Sequence, residues 1–401
     1  MEIRSVTLFC EPGSDPARFA PFLAAARGAF AVRVQSTRVG ATPFPDWLPR
    51  QRATEAAADF AAAWRAAGAD YVSLGPALLG HDAAWLERLP DLLLAADGLF
   101  ASVEIATSDG RLNVGRCHAA ARLIRRVSTL HPDGFGNLFL GALAGCGPGH
   151  PFLPASYHGG GPASFAVAVE TADVALAAVS GATTLDEARA RLVAGIEEAA
   201  AAIAPVAERL AAEFGLRFGG IDFSPAPYPT PDKSLGAALE ALGARVGGPG
   251  ALFAAAFLTD ALDRARFPRA GFCGLMLPVL EDATLARRAA AGGLALSDLL
   301  LYAAVCGVGL DTVPLPGDVD EATLAGILLD TAALSARLRK PLVARLMPLP
   351  GLRAGDATAF SFEYFAPGGV MAVAGNGAGG LLSGMGALDL AVYRAWANQL
   401  S

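Results

Sequence analysis

The sequence predicts an α/β protein built as one large body around a mainly parallel sheet, and three observations carry that prediction. Short β-branched runs alternate with Ala/Leu/Arg-rich helical stretches over the first hundred residues, the rhythm of βαβ units. The chain has 401 residues, 53% of them hydrophobic and only 17% charged, which is ample for a large core. Its 46 Gly and 27 Pro are scattered between apolar segments and never gather into a linker, so residues 1–401 read as a single domain.

In chain order, Ile3 to Phe9 reads as a strand, followed by a helix after Ser14-Asp15-Pro16. A strand at Val32 to Gln35 and a helix through Ala53 to Ala67 come next, then a strand at Tyr71 to Leu74 and a helix from His81 to Ala96. Phe100 to Ile105 leads into a helix carrying Cys117 and His118. Two very apolar strands follow, Leu138 to Leu143 and Phe165 to Val169, each suited to burial on both faces. Thr184 and Glu187 form the pattern of a capping box, opening a helix that runs to about Phe214 with Pro205 as an expected kink. Beyond it the pattern gives a strand at Arg217 to Ile221, helices near 234 to 265, further alternation, and a terminal helix from Leu388.

Charge and cysteine usage exclude several classes of partner. The formal net charge is −7 with no run of Lys or Arg, so neither nucleic acid nor an anionic membrane surface is expected as a partner. Mean hydropathy is high at +0.42. Yet Phe135 to Val169, a long stretch without Asp, Glu, Lys or Arg, holds eight Gly, four Pro and two His, which suits a buried interior better than lipid. The opening MEIRSVTLFCEPGSD lacks a signal-peptide pattern, so a cytoplasmic location is expected. The five Cys are widely spaced and never form a Cys-x-x-Cys pair, so no disulfide framework or structural zinc is indicated.

Four segments concentrate polar groups among Gly and Pro. In 305–318, Cys306, Asp311 and Asp318 sit in a fixed, irregular backbone; Asp318 as a helix cap and Cys306 as a core residue are the structural alternatives. In 271–282 an apolar strand ends at Glu281 and Asp282, at the start of a helix. Helix capping explains one carboxylate; the pair together suggests acid/base work or a divalent cation. In 150–164, Tyr157 and His158 precede three Gly whose backbone N–H groups can approach an oxyanion, with His158 as a proton relay. In 221–234, Asp222 follows an apolar strand, and Lys233 is one of two Lys beside 29 Arg, next to Ser234 at a helix start.

Two absences narrow the chemistry. Gly375 to Gly380 formally matches Gly-x-Gly-x-x-Gly, but too little chain follows for a Rossmann unit. No Gly-x-x-x-x-Gly-Lys-Ser/Thr, Gly-x-Ser-x-Gly or His-Glu-x-x-His motif occurs. No nicotinamide or flavin cofactor is therefore expected.

Taken in order, these segments resemble uncharacterised protein family 0210, also called domain of unknown function 711. The resemblance rests on Leu-Pro-Val-x-Glu-Asp at 277–282, Val-Cys-x-Val-Gly-Leu-Asp at 305–311, Pro-Gly-Asp at 316–318, and Arg345 to Gly351 with Gly355-Asp356, and it covers roughly residues 95 to 360. It implies a ten-stranded α/β barrel similar to pyruvate formate-lyase and anaerobic ribonucleotide reductase, two half-barrels with a loop inside, on or beside which Cys306 would lie. The C-terminal segment lacks an Arg-Val-x-Gly-Tyr signature, so no glycyl radical is expected and Cys306 is expected to serve packing. Glu104 stands where the family usually has Asn, and Lys233 where it has a small or acidic residue.

The expected function is non-radical acid/base chemistry, of lyase or hydrolase type, on a small polar metabolite in the barrel interior. His158, Glu281, Asp282 and Asp311 are the candidate catalytic residues; Glu104, Asp222, Lys233 and Ser234 are the candidates for substrate binding. Strand ends are where such groups converge in closed α/β bodies. A divalent metal is one candidate cofactor and a homo-oligomer the expected assembly. The alternative is a non-catalytic ligand sensor using the same cavity.

Overall fold

The computed structural model describes residues 1–374 and 377–392. Asp15 shows how local sequence sets the architecture: its side chain accepts from Ala17 N at 3.0 Å, and Pro16 starts the helix Pro16–Gly28 with its φ already suited to a first turn. That helix buries Phe19, Phe22 and Leu23 in the same hydrophobic cluster as Val6 and Leu8 of the strand β1 (Glu2–Phe9), with Phe22 against Phe165 and Phe19 against Trp64. Because side chains alternate along a strand, Ser5 and Thr7 face the other way.

The remaining strands are β2 (Thr37–Gly40), β3 (Tyr71–Ala77), β4 (Leu99–Ala106), β5 (Arg111–Asn113), β6 (Leu140–Ala144), β7 (Ser164–Glu170), β8 (Arg217–Asp222), β9 (Gly309–Pro316), β10 (Leu342–Leu349) and β11 (Ala387–Asp389). Among the described residues they form, with eleven α-helices, one α/β body with an eleven-stranded mixed sheet, ordered β8-β7-β1-β2-β3-β4-β6-β10-β9, with β5 and β11 attached beside β4. The central five, β1-β2-β3-β4-β6, run parallel. At each flank the direction reverses, β1 against β7 and β6 against β10, and β7-β8 and β10-β9 are parallel again.

The sheet is not closed into the ten-stranded barrel that the resemblance implies. Its end strands β8 and β9 share no ladder; the segment between them makes one parallel bridge to each, Ile221 with Arg269 and Pro278 with Asp311. The apolar run 271–280, expected as a strand, is an irregular path instead. Cys273 at φ 44° and Pro278, which has no N–H to donate, interrupt any ladder.

Other expectations shift by local causes. The second strand is Thr37–Gly40 and not Val32 to Gln35, of which Val34 makes one bridge, to Ile3. His81 to Ala96 forms a 3₁₀ turn, Ala83–Arg88, and a short helix, Leu89–Leu93. Thr184 accepts from Glu187 N at 3.2 Å, but the Glu187 carboxylate accepts from Thr183 N at 2.8 Å, so the box is displaced by one residue. The helix Glu321–Leu338 is capped by Asp320, not Asp318. Ala387–Asp389 is a strand where the terminal helix was expected to begin, and the rest of that helix, from 393, lies outside the described residues, as do Gly375 and Asn376. No described helix is long and apolar enough to cross a membrane.

The face of the sheet turned to the interior is filled by the chain itself. Residues 150–158 are all buried. Ser5 and Thr7 hydroxyls each donate to Pro151 O at 3.3 Å, Ser73 Oγ donates to Ser156 O at 2.6 Å, and His158 N donates to Ala41 O at 2.9 Å. This inner loop occupies the interior; Cys306 is not on it, although Val308, two residues further along, packs with Phe152 and Ala155 of the loop. Cys306 ends the helix Leu296–Cys306, buried in the helix–sheet core, and burial pushes its thiol up. Glycines on the inner face make room for the loop: a Cβ at Gly141 would lie 2.4 Å from Pro154 Cγ. Gly141→Ala is therefore expected to cost about 1–3 kcal/mol in urea denaturation through overpacking. An unchanged midpoint would mean that the loop has slack there.

Candidate functional site

Charged side chains in apolar strands create the site. Arg4 on β1 and Arg345 on β10 project into the interior from strands that are otherwise largely apolar, and each is satisfied by carboxylates from another segment. Arg345 Nε donates to Asp311 Oδ1 at 2.6 Å and Arg345 Nη2 to Glu281 Oε1 at 3.0 Å. Glu281 Oε2 pairs with Arg4. The result is a chain, Arg4–Glu281–Arg345–Asp311, in which Glu281, Arg345 and Asp311 are 3%, 4% and 1% exposed. Such a network is tolerable in a dry interior because every charge has an opposite neighbour.

The network floors a cavity of about 470 Å³, within the roughly 300–1,000 Å³ typical of small-molecule sites. Arg4, Glu281 and Arg345 reach it from below. Aromatic rings make up the apolar part of its wall, with Tyr71 at the start of β3, Phe100 on β4, Phe139 before β6, Phe152 on the inner loop, and Phe362 and Tyr364 beyond β10. Phe152 also lies under Arg345, whose guanidinium carbon is 5.5 Å from its ring centroid. Arg38 on β2 borders both this cavity and a recess of about 10 Å³ behind it, which Asp222, Arg4 and Phe152 also line.

Burial dominates the electrostatics. It pushes the Asp311 carboxyl above its ordinary range, with Glu281 adding to the rise and Arg345 opposing it, and Asp311 Oδ2 has no hydrogen-bond partner among the described residues. The Asp222 and Asp282 carboxyls are likewise pushed up by burial, against several hydrogen bonds that pull down.

The structure brings Glu281 and Asp311 together on Arg345, and does not bring the other candidates to that pair. Asp282 caps the helix Ala283–Ala290, its oxygens accepting from Thr284 N, Leu285 N, Gly236 N and Ser234 Oγ. Ser234 in turn caps the helix Leu235–Ala241. Both are thus joined in a brace between two helix starts, which leaves Glu281 and Asp282 facing different partners instead of one cation. His158 sits beside Gly161 O at 3.2 Å and Glu11 at 3.9 Å, not in the cavity lining. Glu104 accepts from Leu79 N at 2.8 Å, and Lys233 pairs with Glu2 at 3.1 Å and Glu170 at 3.4 Å. Among the described residues no group of three or more His, Cys, Asp or Glu is disposed to hold a metal ion.

Sequence reasoning missed Arg4 and Arg38 and treated Arg345 only as part of a motif. The available signal was positional and held for Arg345 alone: a charge in the middle of an apolar strand demands a partner, whereas Arg4 stands near the start of β1 among Glu2, Ser5 and Thr7.

Fold and cavity together define a single-body α/β protein with an ionic, aromatic-walled interior. The chain belongs to the family described as Uncharacterised ACR (DUF711), whose model matches residues 14–362. It is similar to a UPF0210 protein of Pyrobaculum arsenaticum, 36% identical over 286 residues covering 68% of this chain and 62% of that one. It is also similar to UPF0210 proteins of Desulforudis audaxviator, at 31% identity over 70% of this chain and 64% of that one, and of Neisseria meningitidis serogroup C, at 29% over 87% and 80%. The match thus spans rather less than two thirds of the length of the Pyrobaculum relative.

Proposed function

We propose that the protein is an enzyme carrying out non-radical acid/base chemistry, of lyase or hydrolase type, on a small polar metabolite bound in this cavity. The observation that carries the reading is Glu281, a carboxylate lining the cavity and held from two sides by Arg4 and Arg345. Fixed in this way it can exchange a proton with a bound substrate without first reorganising. Asp311 acts through Arg345, fixing its orientation as a positioning residue. The single bridges from Arg269 and Pro278 to the two end strands support a further reading, in which segment 269–279 is the stave that completes a barrel of the pyruvate formate-lyase type around the cavity.

The test is to incubate wild type and Glu281→Gln with a library of small metabolites and follow each mass. A compound consumed by wild type and spared by the variant supports the assignment; equal consumption by both refutes it. One observation favours a second reading: both Glu281 oxygens already face guanidiniums, which suits a binding or sensor protein that needs no proton acceptor. A ligand retained by the protein and recovered unchanged would select that alternative.

A further inference from the structure

Arg38 has no charge partner in a site where the other interior arginines do. Its Nε donates to Ser36 Oγ at 2.9 Å and its guanidinium carbon lies 5.7 Å from the Tyr71 ring centroid. No carboxylate pairs with it among the described residues, and neither terminal nitrogen has a protein acceptor there. Arg4 and Arg345, by contrast, are occupied by Glu281 and Asp311.

Of the three guanidiniums on the cavity's interior side, Arg4 and Arg345 carry Glu281 and Asp311, whereas Asp222, the carboxylate in the recess behind Arg38, is taken up by Ser224, Phe272 and Cys273. At the mouth Arg33 and Glu363 are both exposed and opposite in sign, and Asp70 is paired with Arg27 at 2.7 Å. A half-buried guanidinium without a counterion is costly, and the fork of its terminal nitrogens matches a planar carboxylate better than a point charge. Burial, with Arg4 nearby, pulls the Arg38 guanidinium down to about 10, a penalty that a bound anion would relieve.

The walls say what the anion is attached to. Tyr71 and Phe100 meet edge to face at 5.8 Å, Phe100 and Phe139 at 5.0 Å, and Phe362 and Tyr364 lie 5.3 Å apart on the opposite segment. Aromatic surfaces so placed favour a flat apolar body over a polyhydroxylated one.

Building on the cavity reading above, we infer that the ligand is a carboxylate carried on a flat apolar body, and that Arg38 is the residue binding its carboxylate.

The test is calorimetric titration of the full chain with benzoate, phenylacetate, benzamide, acetate and inorganic phosphate. Benzoate or phenylacetate is expected to bind at least tenfold more tightly than benzamide or acetate, with no competition from phosphate. Arg38→Gln is expected to weaken aryl-carboxylate binding roughly ten- to hundredfold, as loss of a hydrogen bond to a charged group implies. Tyr364→Ala, at the half-exposed rim, is expected to weaken it without changing the preference over benzamide, which keeps the idea testable should Arg38→Gln misfold. Equal binding of benzamide and benzoate, stronger binding of phosphate, unaltered affinity in a folded Arg38→Gln, or no binding of either aryl carboxylate at millimolar concentration would each overturn the inference. Because these readouts are of binding, a Glu281→Gln protein that still turns over substrate would sink only the acid/base reading.

Discussion

Arg345→Met is expected to lose about 3–5 kcal/mol of stability at neutral pH, enough to consume much of the roughly 5–15 kcal/mol of a typical native state. The substitution roughly preserves volume and deletes the charge that holds Asp311 at 2.6 Å and Glu281 at 3.0 Å. Two carboxylates would then face each other in the interior with Arg4 as the remaining neighbour. The pH dependence has a definite sign. The folded-state Asp311 carboxyl already titrates above its ordinary 3.8, chiefly through burial, and losing Arg345 pushes it further up. A carboxyl raised on folding contributes stability that is fully present below the unfolded value and is lost as pH rises through the folded one. The deficit of the variant should therefore be largest at neutral pH and shrink as pH falls towards 4. Urea melts of both proteins across that window would check it, and a pH-independent deficit would show that lost packing, not unpaired charge, dominates.

Asp222→Ala is expected to cost about 3 kcal/mol or more. The carboxylate at the end of β8 accepts from Ser224 N at 3.0 Å, Ser224 Oγ at 2.5 Å, Phe272 N at 3.1 Å and Cys273 N at 3.0 Å. A turn is wrapped around it. Cys273 holds φ 44° and Gly271 φ 68°, and a Cβ on Gly271 would lie 2.0 Å from Asp222 Oδ2, so only glycine fits there. Alanine would leave three backbone N–H groups unpaired in the interior, roughly 1–3 kcal/mol each before relaxation. The damage should concentrate in 269–279, seen as faster amide exchange there than in β1. A loss below about 1 kcal/mol would show that water replaces the carboxylate at little cost.

What could be read from the sequence follows physical lines. Strands β1, β3, β4 and β7 were legible because each is an apolar run bounded by turn residues and buried on at least one face. Val32 to Gln35 misled because β-branched composition does not say which residues find a partner; the ladder begins at Thr37, where β1 and β3 lie on either side. The run 271–280 misled for the opposite reason, since its apolar residues are buried without forming a ladder. At the site, Glu281 and Asp311 stood out as acids beside apolar runs. Arg38 did not, because its distinction among 29 arginines is to face the cavity with no carboxylate on it, a property of three dimensions alone. Asp282 and Ser234 looked functional for the same reason that they cap helices well: short polar side chains at a strand-to-helix junction serve either purpose.

The reversal of strand direction at β6 and β10 bears on how the chain reaches this state. Leu342 pairs with Ala144, about two hundred residues apart in the chain, and the intervening polypeptide includes the loop that must already lie on the inner face of β1 and β3. During synthesis the five central parallel strands can assemble as soon as β6 emerges, but their β6 edge stays bare until β10 follows. At about 5–20 residues per second that interval lasts on the order of ten to forty seconds. Over that time an apolar edge, Leu140 to Ala144, is available to pair with another nascent chain, so chaperone demand and aggregation during expression should track the delay between these two strands more closely than the stability of the finished molecule.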